Sequence, residues 1–109
     1  MSGHSLKLIR AVIRPEREAE VLTRLETAGF YAMTKTPVLG RGRQQGVQVG
    51  AVSYDELAKL MVLLVVEEAD LPRAVEAIEL GGRTGHYGDG KIFVQTVRDS
   101  YTIRSGTKD

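Results

Sequence analysis

The chain reads as an α+β domain of the ferredoxin-like kind, in the order β-α-β-(long loop)-β-α-β. Two stretches with helical apolar spacing each lie between strand-like runs, which is the pattern of a split βαβ sandwich. One of those runs, Leu60-Met-Val-Leu-Leu-Val-Val66, is continuous enough for a central strand buried on both faces. A glycine-rich insertion separates the halves, and a long irregular insertion in so small a domain usually serves function.

Residues 1–5, with His4, are expected to form a flexible tail. Leu6 to Arg14 sets Leu6, Leu8, Ile9, Val12 and Ile13 among basic residues and predicts the first strand. Pro15 ends it and suits the first turn of the helix that follows. In that helix Val21, Leu22, Leu25 and Ala28 recur at three- and four-residue steps. Its charges (Glu16, Arg17, Glu18, Glu20, Arg24, Glu26) fall mostly elsewhere and read as a solvated face. Gly29 stops it.

Phe30 to Leu39 predicts the second strand. Gly40-Arg-Gly-Arg-Gln-Gln-Gly46 then opens an exposed, mobile insertion that runs to about Glu56. Leu57 to Val66 is the third strand. Asp70 is placed to cap the next helix, with Pro72 in its first turn and Leu71, Ala74, Val75 and Ile78 as its buried stripe. Gly81-Gly82 end the helix, Lys91 to Val97 is the last strand, and a polar tail runs from Arg98 to Asp109. With both helices on one face the other face of the sheet is bare. Strands this apolar call for a symmetric oligomer to cover it.

Composition narrows the function. One domain of 109 residues carries a net charge of +1, so no broad basic field draws it to nucleic acid. The absence of cysteine rules out disulfides and thiolate metal sites. No apolar run is long enough to span a bilayer, and Met1 to Ser5 lack the plan of a signal peptide, so a cytoplasmic location is expected.

The stretch Thr84-Gly-His-Tyr-Gly-Asp-Gly-Lys-Ile-Phe-Val94 carries the chemistry. Gly85, Gly88 and Gly90 let the backbone approach a ligand, and Lys91 follows at once. Inward N–H groups beside an ammonium make a receptor for a polyanion such as a triphosphate. The other reading is a turn that only has to be tight. Residue physics leaves both standing.

These residues resemble the PII signal-transduction family, which carries a Thr-x-x-x-Gly-Asp-Gly-Lys-Ile-Phe-Val stretch matched here from Thr84 to Val94. Lys7-Leu-Ile-Arg-Ala-Val-Ile-Arg-Pro15 is similar to the family's first strand, Gly40 to Gly46 to the base of its T-loop, and Ile103-Arg-Ser-Gly106 to its C-terminal loop. The resemblance implies a single domain over 6–109, with a T-loop at about 41–57, a B-loop at about 82–90 and a C-terminal loop at about 98–109. It implies a trimer with ATP or ADP between neighbours, and 2-oxoglutarate read in the ATP-Mg2+ state. Gly88, Asp89, Gly90 and Lys91 would hold phosphates, and Arg104 would reach in from the neighbouring subunit. Val12, Thr34 and Val65 match positions near base and ribose, and Gly40, Gly42, Arg43 and Gln44 the loop base at the nucleotide. Arg43, Gln44, Gln45, Gly46 and Lys59 would take 2-oxoglutarate, with Gln44 also meeting magnesium and Lys59 pairing with a carboxylate.

Thr102 stands where many members have a further arginine, which implies weaker phosphate binding or a changed ATP-to-ADP preference. The T-loop is shorter than in the common bacterial members, and Tyr54 does not align with their uridylylated tyrosine. Ser53-Tyr-Asp-Glu-Leu-Ala-Lys59 and Tyr101-Thr-Ile-Arg104 look most like the nitrogenase-associated branch. That likeness implies a homotrimer or a mixed trimer or hexamer with a second PII-like subunit, acting on dinitrogenase. Control of another target, such as an ammonium transporter or a metabolic enzyme, is the alternative.

Two other classes fit these residues less well. An enzyme such as a slow ATPase would have to use Asp89 and His86, but no paired carboxylate or Ser/His/Asp arrangement supports it. An RNA-binding sheet needs alternating aromatics, and Phe93 stands alone in its strand.

Overall fold

The computed structural model describes residues 5–41 and 57–109. Of the insertion expected from Gly40 to about Glu56, Gly40 and Arg41 are described; the rest, with Arg43, Gln44, Gln45, Gly46 and Tyr54, lies outside the described residues, as does the tail before Ser5.

Strand β1 (Leu6–Ile13) leads through a single 3-10 turn at Pro15–Arg17 into α1 (Glu18–Thr27). Strands β2 (Thr34–Gly40) and β3 (Leu57–Glu67) follow, then α2 (Leu71–Gly82) and β4 (Gly90–Val97). The main sheet runs β2-β3-β1-β4, with every neighbouring pair antiparallel. The ferredoxin-like βαββαβ order expected from the sequence is therefore present.

The period of two decides the two faces of the sheet. Ile9, Ala11 and Ile13 of β1 and Leu60, Val62, Leu64 and Val66 of β3 are buried against Val21 and Leu25 of α1 and Ala74, Ala77 and Ile78 of α2. Burying each large aliphatic side chain here contributes roughly 1.5–3 kcal/mol. The helices touch closely at Gly81, where an added Cβ would stand 2.8 Å from the Val21 Cα. No larger residue fits without prising α1 from α2.

On the opposite face Leu8, Arg10, Val12, Lys59, Met61, Leu63, Val65 and Phe93 are only partly covered, and Val65 and Phe93 are about half exposed. The third strand is thus buried on one face within the protomer, not on both as its continuous apolar run suggested. The second layer of helices exists on one side only.

Three local expectations need correction. Phe30 to Met33 are not strand. Gly29, at φ +99, ends α1, and Phe30 and Met33 drop onto the core instead of pairing. Asp70 does not cap α2 with its side chain; a 3-10 turn at Glu68–Asp70 precedes the helix, and the carboxylate pairs with Arg73 at 3.3 Å. The stretch after Arg98 is not a bare tail but a hairpin, β5 (Tyr101–Thr102) with β6 (Thr107–Lys108). Short polar strands leave no apolar period to read, and this one is held by side chains. The Asp109 carboxylate accepts from Ser100 Oγ at 2.5 Å and Thr102 Oγ1 at 2.7 Å. Those two hydroxyls hold the Asp109 carboxyl below its ordinary range.

Candidate functional site

The glycine loop joins the end of α2 to the start of β4, so a helix end and the sheet fix its two roots. Gly90 forms the tighter root. It lies opposite Ile13 in the β1–β4 ladder at φ +111, and an added Cβ would fall 1.7 Å from the Val12 carbonyl oxygen. A glycine is required there by contact as well as by backbone conformation.

Asp89 organises the loop from within. Its carboxylate accepts from Thr84 N at 2.8 Å, Thr84 Oγ1 at 2.5 Å and Gly85 N at 2.9 Å, and from Arg14 Nε at 3.0 Å. Burial pushes this carboxyl up, but the bonds from Thr84, Arg14 and Gly85 outweigh it and hold the group far below the usual carboxylate range. An acid so committed serves as the loop's internal clasp. It is not poised to take up protons at neutral pH.

Two cations hold the loop's carbonyls. Arg14 Nη2 donates to Tyr87 O at 2.7 Å, and Lys59 Nζ donates to Gly88 O at 2.5 Å. Burial, and then the nearby Arg14 charge, lower the Lys59 pKa from its ordinary value. Cations crowded in this way gain when an anion arrives.

A groove of about 290 Å3 opens on the bare face of the sheet. Val12, Gly40, Lys59, Gly88, Gly90 and Lys91 line it, so the structure brings together residues from four separated stretches of the predicted site. Phe93 forms an apolar wall. A larger cavity of about 380 Å3 lies between α2 and β4; Val75, Ile78, Ile92 and Val94 line it together with Val12, Asp89, Gly90 and Lys91 of the predicted site, so the loop root borders both spaces.

Thr34, Val65 and Arg104 are not in that groove. Val65 lies opposite Leu8 and Thr34 opposite Leu63, whereas Lys59 and Gly40 sit at the other end of the same strands. Six residues of strand separate Lys59 from Val65, about 20 Å at the usual rise. The hairpin bearing Arg104 follows Val97, which is paired with Leu6 and so shares the Val65 end. Val65 and Arg104 therefore lie toward the opposite end of the exposed sheet face from Lys59 and Gly40, with Thr34 level with the middle of β3. Gly42, Arg43, Gln44, Gln45 and Gly46 belong to the insertion outside the described residues.

Sequence reasoning missed Arg14. Its signal was slight, a basic residue just before the proline that ends β1.

The fold and groove define a class, a small ferredoxin-like domain whose open sheet face carries a groove set with two lysines beside a glycine loop. Residues 6–107 match the family model for nitrogen regulatory protein P-II, and the chain belongs to that family. It is 49% identical over 100 residues to the nitrogen fixation nifHD region GlnB-like protein 1 of Methanothermobacter marburgensis, covering 92% of this chain and 95% of that one. A protein of Methanosarcina barkeri, the nifHD2 region GlnB-like protein 1, is 48% identical over 103 residues, with 94% and 98% covered. The crystal structure of Arabidopsis thaliana PII bound to citrate superposes with a TM-score of 0.78 at 28% identity, covering all of this chain and 90% of that one. Proteins of this family regulate nitrogen metabolism, and these relatives tie this chain's kin to nitrogen-fixation gene regions. Among the described residues no helix is long and apolar enough to cross a membrane.

Proposed function

We propose that this chain is a nitrogen-regulatory sensor that binds ATP or ADP and 2-oxoglutarate and controls a partner through its T-loop. The observation that carries this reading is the convergence of Val12, Gly40, Lys59, Gly88, Gly90 and Lys91 on one groove. Glycines give the backbone access, Lys91 and Lys59 supply charge, and Phe93 and Val12 supply an apolar wall. A nucleotide polyphosphate fits that chemistry.

The split of the predicted residues supports a shared site. One protomer supplies the loop end, and Thr34, Val65 and Arg104 of a neighbour supply the other. Head-to-tail contacts close into a ring when the rotation between copies closes, and a trimer is a small case of such a ring. The same contact would cover the bare sheet face. A mixed assembly with a second PII-like subunit is compatible with the same geometry.

Magnesium suits this site only in company with its ligands. Among the described residues no group of three His, Asp or Glu side chains gathers, and Asp89 is spent on the loop. Gln44 and the oxygens of nucleotide and 2-oxoglutarate would hold the ion, which would offset the repulsion between the two anions. Lys59 would take the far carboxylate. Ligand binding would then select one T-loop conformer, and a preference of roughly 3 kcal/mol shifts the ratio on the order of a hundredfold. Such a switch needs no chemical reaction, so the reading is of a regulator and not an enzyme. The nifHD-region names of the relatives favour nitrogenase as the controlled target.

Calorimetric titration with ATP and ADP, with and without Mg2+ and 2-oxoglutarate, tests the sensor. Saturable nucleotide binding, tightened by 2-oxoglutarate in the ATP-Mg2+ state, is the expected result. A monomeric protein that ignores both nucleotides would overturn the reading. Mixing the protein with dinitrogenase and its reductase tests the target, with inhibition relieved by ATP and 2-oxoglutarate as the expected outcome.

A further inference from the structure

We propose that Arg14 is the positioning residue of the glycine loop, setting where its backbone meets a bound phosphate chain; this rests on the nucleotide reading above. Arg14 stands between the last residue of β1 and Pro15, with extended backbone (φ −67, ψ 136), the conformation a following proline favours. Its side chain is 20% exposed and reaches the loop as a fork. Nε donates to Asp89 Oδ1 at 3.0 Å while Nη2 donates to Tyr87 O at 2.7 Å. Two donors on one rigid plane fix an orientation, which a single ammonium does not.

The fork controls placement and not the loop's internal shape. Asp89 is tied to Thr84 and Gly85 by three further bonds, and these do not involve Arg14. Removing the guanidinium leaves that clasp closed and cuts one of the two side-chain ties to the sheet, the other being Lys59 on the Gly88 carbonyl. The consequence for a ligand follows from the planar trans peptide, in which a carbonyl and the next N–H point opposite ways. Arg14 holds the Tyr87 carbonyl and so aims the Gly88 N–H. Lys59 holds the Gly88 carbonyl and so aims the Asp89 N–H. Arg14 also lies close enough to Lys59 to lower its pKa, so it adds positive potential to the same groove.

The test compares Arg14→Gln, Arg14→Lys, Asp89→Asn and the double variant Arg14→Gln/Asp89→Asn in ATP titrations, with amide hydrogen exchange read at Gly85, Gly88 and Asp89. Arg14→Gln should weaken ATP binding by about tenfold, the scale of a lost charge-assisted bond. Arg14→Lys keeps the charge but not the fork and should stay closer to Arg14→Gln than to wild type. The double variant should fall short of the sum of the two single losses, because the Arg14–Asp89 pair is counted in both. Loop amides should exchange faster in Arg14→Gln while those of β1 and β3 stay protected. Wild-type affinity in Arg14→Gln, full rescue by lysine, or strictly additive losses would each overturn the proposal. If Arg14→Gln does not fold, Arg14→Lys with its exchange pattern decides the matter. A wild-type protein indifferent to ATP would instead remove the sensor reading itself, and the two failures are therefore distinct.

Discussion

Replacing Gly90 by alanine puts the loop's tighter root to a quantitative test, with Gly85→Ala as its control. At Gly85 the backbone is left-handed (φ +91), but an added Cβ meets nothing within 4 Å. That variant should cost only the conformational term, about 1–2 kcal/mol. At Gly90 the backbone is also left-handed (φ +111), and the new Cβ would overlap the Val12 carbonyl oxygen at 1.7 Å. The obstructing atom is backbone, so no rotamer change relieves it, and β4 has to part from β1 at the Val12–Lys91 and Ile13–Gly90 pairs. Losing one or two ladder hydrogen bonds adds about 1–3 kcal/mol to the conformational cost. The total for Gly90→Ala is then roughly 2–5 kcal/mol, a large share of the 5–15 kcal/mol by which such domains are stable. Urea unfolding at fixed protomer concentration, with m-values compared, reads both variants. A Gly90→Ala midpoint equal to that of Gly85→Ala would show that the Val12 contact costs nothing, and the account of the loop root would fail.

Further outcomes follow from the same contacts. Lys59→Ala and Gln44→Ala should each bind ATP yet lose the response to 2-oxoglutarate; calorimetry finding both at wild-type strength would refute the assignment of those residues. Asp89 has a folded-state pKa below its unfolded value of about 3.9, so its stabilisation is complete above that value and is lost as pH falls through the folded one. The stability gap between wild type and Asp89→Asn should therefore be flat from pH 7 to about 5 and shrink only below about pH 4, a course that acid unfolding curves can follow. Gly81→Ala should destabilise the helix pair by about 1–3 kcal/mol, the scale of an overpacked core, because its Cβ would meet the Val21 backbone. Thermal melting should show that loss while loop amide exchange at Gly85 stays unchanged.

The elements were legible wherever apolar period and punctuation agreed. Ile9, Ala11 and Ile13 alternate, Val21 and Leu25 lie a helical turn apart, and Pro15, Gly29 and Pro72 mark boundaries the structure keeps. Phe30 and Met33 misled because an apolar residue serves a core equally well from coil. The β5–β6 hairpin was hidden because its stability comes from Ser100, Thr102 and Asp109, polar contacts that leave no periodic trace. In the candidate site, the loop residues were legible from their glycines and lysine. Arg14 was not, since its partners lie 73 and 75 positions away in sequence and only the fold brings them near. The division of the predicted residues between two sheet ends was likewise a matter of register. No local pattern near Val65 reports that it lies about 20 Å along β3 from Lys59, nor near Thr34 that it is four residues out of level with it.

That division bears on how such a domain could act as a sensor. A site contained in one protomer can change its own loop on binding, but it has no direct hold on its neighbour. Here the loop end carries Lys59 and Lys91, the far end carries Val65 and the hairpin with Arg104, and Thr34 lies between them. If a nucleotide joins one end to the other across two copies, its binding energy acts on the contact between them. The hairpin is suited to that role because Asp109 already ties Ser100 to Thr102, so less of the binding energy would go into ordering it. Thr102 then has a definite place in this chain. Its hydroxyl is committed to Asp109 and so braces the hairpin that carries Arg104. Thr102→Arg should therefore strengthen phosphate contact and loosen the hairpin together. Nucleotide affinity and hydrogen exchange at Gly106, whose N–H is bonded to Thr102 O at 2.8 Å, should move in step. A tighter-binding variant with an unchanged Gly106 amide would show that the two effects are not linked.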